Sequence, residues 1–129
     1  DLPAAVDAAL DRVGMAGMGG RMAGELSYGH QRLLELAMGL ALKPRVLILD
    51  EPTQGLAAGE IEGFIALVRG LVPETTVLMI EHNMEVVMSL AHRITVLNFG
   101  QVLASGTPDE VRANPQVQAA YLGTDHAAA

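Results

Sequence analysis

Asp50 and Glu51 follow four aliphatic residues, Val46 to Leu49, and form the first point in the chain that invites chemistry. The C-terminal end of a buried strand is where open α/β sheets place their ligand sites. Two adjacent carboxylates repel unless a cation or a shared proton offsets them. A divalent ion bound through Asp50, with Glu51 reaching a water, answers that cost; an acidic turn closing a strand is the plainer alternative. A second candidate is Leu26-Ser27-Tyr28-Gly29-His30, which precedes an apolar helical pattern. Unpaired amides and the dipole at that helix start attract phosphate, and the Ser27 hydroxyl adds a donor. Ser27 as a simple cap and Gly29 as a turn residue is the competing reading. A third candidate is His82, two residues past the apolar run Thr76 to Ile80. A neutral imidazole there can donate to a phosphate, or simply sit at the surface.

Several chemistries lack support. Residues 14–24 contain five glycines, but no G-x-x-x-x-G-K-[ST] occurs anywhere, so they read as a mobile connection rather than a phosphate loop. The four histidines show no H-E-x-x-H or other metal spacing. No G-x-S-x-G supports a serine hydrolase. With no cysteine there is neither a disulfide nor a thiolate metal site.

The elements that must position these residues follow from periodicity. Val6, Ala9, Leu10 and Val13 share one helical face over residues 4–13, with Gly14 as the stop. Leu33, Leu36, Ala37, Leu40 and Ala41 predict a helix over 30–42, ended by Pro44. Val46 to Leu49 and Thr76 to Ile80 read as strands covered on both faces. Between them, Ile61, Phe64, Ile65, Val68 and Leu71 predict a helix over 60–72. Asn83 can cap a helix over 84–91, and strands 94–97 and 101–104 are joined through Asn98-Phe99-Gly100. Thr107-Pro108-Asp109-Glu110 and Asn114-Pro115 are helix starts, the last helix ending near Leu122. Strand and helix alternate, which is the rhythm of an α/β domain with a parallel sheet.

Composition bounds the partners. Eight Lys and Arg against fifteen Asp and Glu give a formal charge of -7, which argues against nucleic acid as a partner. Half the residues are apolar but only 3% are aromatic, so the core must be mostly aliphatic. No run of eighteen apolar residues suits a bilayer crossing.

Three stretches gain specificity together. LSYGHQR, VLILDEPTQGL and VLMIEHNM occur in this order, with Ser27 to Asp50 and Asp50 to His82 separated by 23 and 32 residues. This arrangement resembles the C-terminal half of an ABC-transporter ATPase domain, a P-loop fold of mostly parallel sheet and flanking helices. LSYGHQR, EHNM and the tail GTPDEVRANPQVQAAYLG are similar to the ATP-binding subunits of branched-chain amino-acid uptake systems, the LivG-like family. Urea or other small-solute importers, a non-transport ATPase of the superfamily, and an interaction module without nucleotide binding are the rival readings.

The resemblance implies roles. Ser27, Tyr28, Gly29 and His30 match the signature motif, whose Ser27 and Gly29 would meet the γ-phosphate of ATP held mainly by a second ATPase subunit. Asp50 matches the Walker B aspartate that supports Mg²⁺ through water, Glu51 the general base, and His82 the switch histidine. Gly55-Leu56-Ala57 matches the D-loop. His30 stands where the family usually has Gln, and Ala57 where many relatives have Asp. The resemblance also implies permease partners and a peripheral place on the cytoplasmic side of the inner membrane. It divides the chain into the end of a helical subdomain (1–43), the C-terminal part of a catalytic core (44–106) and C-terminal helices with a tail (107–129). Because the P-loop half is missing, the chain reads as part of a longer protein, and alone it is not expected to hydrolyse ATP. In the resembled fold a strand is missing beside Thr76–Ile80. Three outcomes are therefore expected for the gap: direct closure, exchange of a strand or helix between copies, or filling by an upstream segment.

Overall fold

A computed structural model of the protein describes residues 2–122. The chain divides into two compact units, residues 1–81 and 82–129. In the first unit the order is α1 (Leu2–Arg12), a short 3-10 turn (Ala23–Glu25), α2 (Tyr28–Ala41), β1 (Val46–Asp50), α3 (Ala58–Leu71) and β2 (Thr76–Ile80).

Helix α1 stops where glycine permits it. Gly14 adopts φ +76°. The Met15 N–H donates to the Leu10 carbonyl at 2.8 Å and the Gly14 N–H to Asp11 at 3.1 Å, the paired bonds of a Schellman stop. Met15, only 1% exposed, anchors the glycine-dense stretch. Met18 and Arg21 each bond back three residues at 3.1 Å, so the expected mobile connection is a run of hydrogen-bonded turns. Leu10 and Val13 are buried, but Val6 is exposed. Helix α1 packs on α2, and a helix with one neighbouring helix buries a narrower stripe than its pattern allows.

Helix α2 is started by Ser27, whose hydroxyl oxygen accepts the His30 N–H at 3.1 Å. Leu36, Ala37 and Leu40 are buried on its inner face, and α3 contributes Phe64, Val68 and Leu71, as the spacing predicts. Strands β1 and β2 pair in parallel, Val46 opposite Thr76 and Asp50 opposite Ile80. Side chains alternate across the sheet. Leu47 is therefore buried, while Val46, Ile48, Leu78 and Ile80, which share the other face, are 54–64% exposed. The expectation of strands covered on both faces is corrected here: this two-stranded sheet has one covered face.

The second unit contains α4 (Met84–Leu90), β3 (Ile94–Asn98), β4 (Gln101–Gly106), α5 (Pro108–Ala113), the short α6 (Pro115–Val117) and a π-turn (Gln118–Leu122). Strands β3 and β4 are antiparallel and joined by Phe99-Gly100. Both residues have positive φ, +50° and +78°, which matches the twist of a two-residue hairpin. Ile94, Val96, Val111 and Val117 form the core, with Val87, Met88, Ala91, Leu103 and Ala104 packed against it. Asn83 accepts from the Val86 N–H and Asn114 from Gln116 and Val117, so the expected caps are in place. Gly123 and the tail beyond it lie outside the described residues. Each sheet has two strands, β1–β2 and β3–β4. Direct closure by re-pairing of strands is therefore not what the described residues adopt.

Thr107 and Glu110 cap α5 reciprocally. The Thr107 N–H donates to Glu110 Oε1 and the Glu110 N–H to Thr107 Oγ1, both at 3.2 Å. The bond from the Thr107 backbone, then that from its hydroxyl, hold the Glu110 carboxyl below the usual range, with Arg93 adding to this. A carboxyl lowered on folding stabilises above its unfolded pKa, and that contribution fades as pH falls through the folded value. Glu110→Gln should therefore lower the denaturant midpoint near neutral pH and narrow its difference from wild type as the solution is acidified. A difference independent of pH would contradict this.

Candidate functional site

In the first unit, the start of α2 and the turn after β1 are brought together. Asp50 ends β1 and is exposed. Glu51 follows in the left-handed region at φ +48°, which is uncommon for a residue with a side chain. Its N–H donates to the Ile80 carbonyl at 2.7 Å, at the end of the β1–β2 ladder. Its carbonyl accepts from Arg32 Nη2 of α2 at 2.9 Å and from the Gln54 N–H at 3.2 Å. Two residues on, Thr53 is 5% exposed. Its hydroxyl and N–H donate to Glu81 Oε2 at 2.7 and 3.3 Å. Bonds to a carboxylate are stronger than neutral ones, so this pair ties the acidic turn to the residue just beyond β2.

Ser27 takes the His30 amide for itself. The amides of Tyr28 and Gly29 stand at the first two helical positions, where a helix offers no internal acceptor. Gly29 is buried, and a Cβ there would collide with the Glu60 carboxylate of α3. That carboxylate also accepts the Ala57 N–H at 2.9 Å. Tyr28 is 55% exposed, and its ring lies against Gly55, at φ +80°. Gly55→Ala should thus cost about 1–3 kcal/mol, the range for strained backbone positions. Tyr28→Ala combined with it should recover the steric part, read as denaturant midpoints. Equal losses in the single and double variants would show that the ring does not matter.

His82 is exposed and opens the second unit, just before the capping Asn83. Ser27 to His30, Asp50, Glu51 and Gly55 to Ala57 all lie in the first unit. Sequence reasoning did not pick out Arg32, Thr53, Glu60 or Glu81, because each acts through a partner distant in sequence. The hint available was that Arg32 lies within LSYGHQR, Thr53 within VLILDEPTQGL and Glu81 within VLMIEHNM.

As a metal site, the acidic turn is a partial ligand set. Among the described residues no three His, Cys, Asp or Glu side chains gather to hold an ion. Exposed at the end of β1, Asp50 could supply one carboxylate to Mg²⁺ of the kind bound through one or two carboxylates plus substrate phosphates. Among these residues, no helix is long and apolar enough to cross a membrane.

Residues 2–54 match the family model for ABC transporters, and residues 101–127 match that for branched-chain amino acid ATP-binding cassette transporters. The chain is 47% identical over 116 residues to the branched-chain amino acid transport ATP-binding protein BraF of Pseudomonas aeruginosa, covering 88% of this chain and 46% of BraF. It is 44% identical over 117 residues to LivG of Escherichia coli, again covering 88% of this chain and 46% of the relative. The ADP conformation of MJ1267, an ATP-binding cassette of an ABC transporter, superposes with a TM-score of 0.80 at 29% identity, covering 93% of this chain and 49% of that one. The chain spans about half the length of the curated relatives it matches. Exchange of a strand or helix between copies finds no support in these likenesses.

Proposed function

We propose that this chain, whose family-model matches and relatives are ATP-binding cassette proteins of branched-chain amino acid transport, is the signature and Walker B portion of a subunit that powers import of branched-chain or other hydrophobic amino acids. The observation that carries this reading is the acidic turn itself. Asp50 and a left-handed Glu51 stand at the end of β1, and α2, the helix capped by Ser27, holds the Glu51 carbonyl through Arg32.

In this reading residues 1–43 close a helical subdomain, 44–106 belong to the catalytic core, and 107–129 form the C-terminal helices and tail. This chain carries no G-x-x-x-x-G-K-[ST] phosphate loop, and on this reading it does not turn over ATP by itself. In the complete subunit, Ser27 and Gly29 face the γ-phosphate of a nucleotide held by a second ATPase subunit. Tyr28 and His30 flank them. Glu51 orients the attacking water and takes its proton, and His82 donates a hydrogen bond to the γ-phosphate. Asp50 would hold Mg²⁺ through its water shell, and the ion would supply positive charge to offset that of the phosphates. Catalysis of this kind is mostly positioning and electrostatics, which suits a turn fixed by hydrogen bonds. The subunit works at the cytoplasmic face of the membrane against permease subunits.

The solute class rests on the match at residues 101–127. It is tested by ATP-driven uptake in vesicles containing the complete subunit and its permease. Labelled leucine should accumulate and labelled urea should not. Urea uptake without leucine uptake would move the chain to the other importer class.

A further inference from the structure

We propose that Arg32 is a positioning residue that fixes the Glu51 backbone, and with it the direction of the carboxylate, from the second turn of α2; this rests on the hydrolytic role proposed for Glu51. Glu51 sits at φ +48°, a conformation that persists only when its surroundings over-determine it. Three hydrogen bonds do so. One leads to Ile80 at 2.7 Å, one comes from Gln54 at 3.2 Å, and one comes from Arg32 Nη2 at 2.9 Å. The first belongs to the strand ladder and the second to the turn itself. Arg32 alone among these partners reaches in from α2, whose first turn carries Tyr28 and Gly29.

The guanidinium is seated for this purpose. Its Nη1 donates to Glu35 Oε2 at 3.3 Å, an exposed partner that contributes little. Its Nε is buried and has no hydrogen-bond partner among the described residues. The rigid fork is therefore placed to deliver Nη2 to the Glu51 carbonyl, not to satisfy all its own donors. Backbone dihedrals decide which rotamers a side chain can adopt. Without Arg32 the Glu51 peptide can relax toward an ordinary conformation, carrying the carboxylate away from the water it is to orient. The same contact links the helix start that meets one nucleotide to the base that acts on another.

Two variants and two readouts test this. In the complete subunit, Arg32→Met keeps an unbranched stem and removes every side-chain donor. It should lower kcat by about 10–10²-fold, the scale of a 1 Å misplacement, with KM for ATP within about 3-fold of wild type. Arg32→Lys supplies one donor and should recover a large part of the loss. In the 129-residue chain, the Glu51 carbonyl carbon resonance should shift in Arg32→Met and lie between the two in Arg32→Lys. An unchanged kcat, a KM rise that accounts for the loss, or Lys no better than Met overturns the proposal, as does an unmoved carbonyl resonance. If Arg32→Met does not fold, Arg32→Lys decides: a lowered kcat at unchanged KM supports the proposal, and full wild-type kcat overturns it. A wild-type complete subunit without ATPase activity would sink the hydrolytic reading and the catalytic consequence of Arg32. The carbonyl resonance would still decide whether Arg32 holds Glu51.

Discussion

Glu51→Gln in the complete subunit is expected to lower ATP turnover by about 10²–10⁴-fold, the usual contribution of a positioned general base. The substitution keeps the side chain's size and its place at the end of β1. The backbone bonds to the Ile80 carbonyl and from Gln54 and Arg32 do not involve the carboxylate, so the turn should keep its shape. Nucleotide affinity should survive, because the ion is assigned to Asp50. Steady-state rates and equilibrium binding on the same preparation separate the two roles. Wild-type turnover would remove Glu51 from the chemistry, and lost binding would show that its role belongs with that of Asp50.

Gly29→Asp should have a comparable effect by a different route. Any Cβ at Gly29 runs into the Glu60 carboxylate, and an added carboxylate would also place negative charge where a phosphate must approach. Turnover should fall by about 10²–10³-fold, the scale of losing a preorganised donor to a developing anion. Stability should fall as well, because Glu60 must release the Ala57 N–H to make room. The double variant Gly29→Asp with Glu60→Ala separates these effects. It should regain part of the lost stability but little turnover. Turnover returning together with stability would mean that Gly29 matters only for packing.

Local chemistry was legible in the sequence. Ser27, Asn83, Thr107 and Asn114 cap helices where they were expected to, because a cap and the amide it binds lie within three residues of one another. Gly14 ended α1 for the same reason. The Asp50–Glu51 pair was visible because two adjacent carboxylates after four aliphatics are costly unless a cation or a shared proton offsets them. Less legible was what covers each surface. Val46, Ile48, Leu78 and Ile80 read as buried by their apolarity alone, whereas their exposure depends on which layers surround the sheet. Arg32, Thr53, Glu60 and Glu81 also escaped notice. Their partners lie 19 residues away for Arg32–Glu51 and 28 for Thr53–Glu81, and no periodicity records such pairs. In the glycine-dense stretch, five glycines read as a connection, and what they did not disclose is the anchor that the buried Met15 supplies within it.

The central claim is that this chain supplies the signature helix start and the hydrolytic turn of a cassette ATPase. The most direct measurement is a structure of the complete subunit carrying Glu51→Gln with Mg-ATP bound. A pair of subunits is expected, with Ser27 Oγ and the Gly29 N–H of one within about 3.2 Å of γ-phosphate oxygens held by the other. The substituted Glu51 side chain should lie beside the γ-phosphate of its own subunit's nucleotide. A nucleotide bound with Ser27 and Gly29 facing solvent, or with residue 51 turned away from the phosphates, would contradict it.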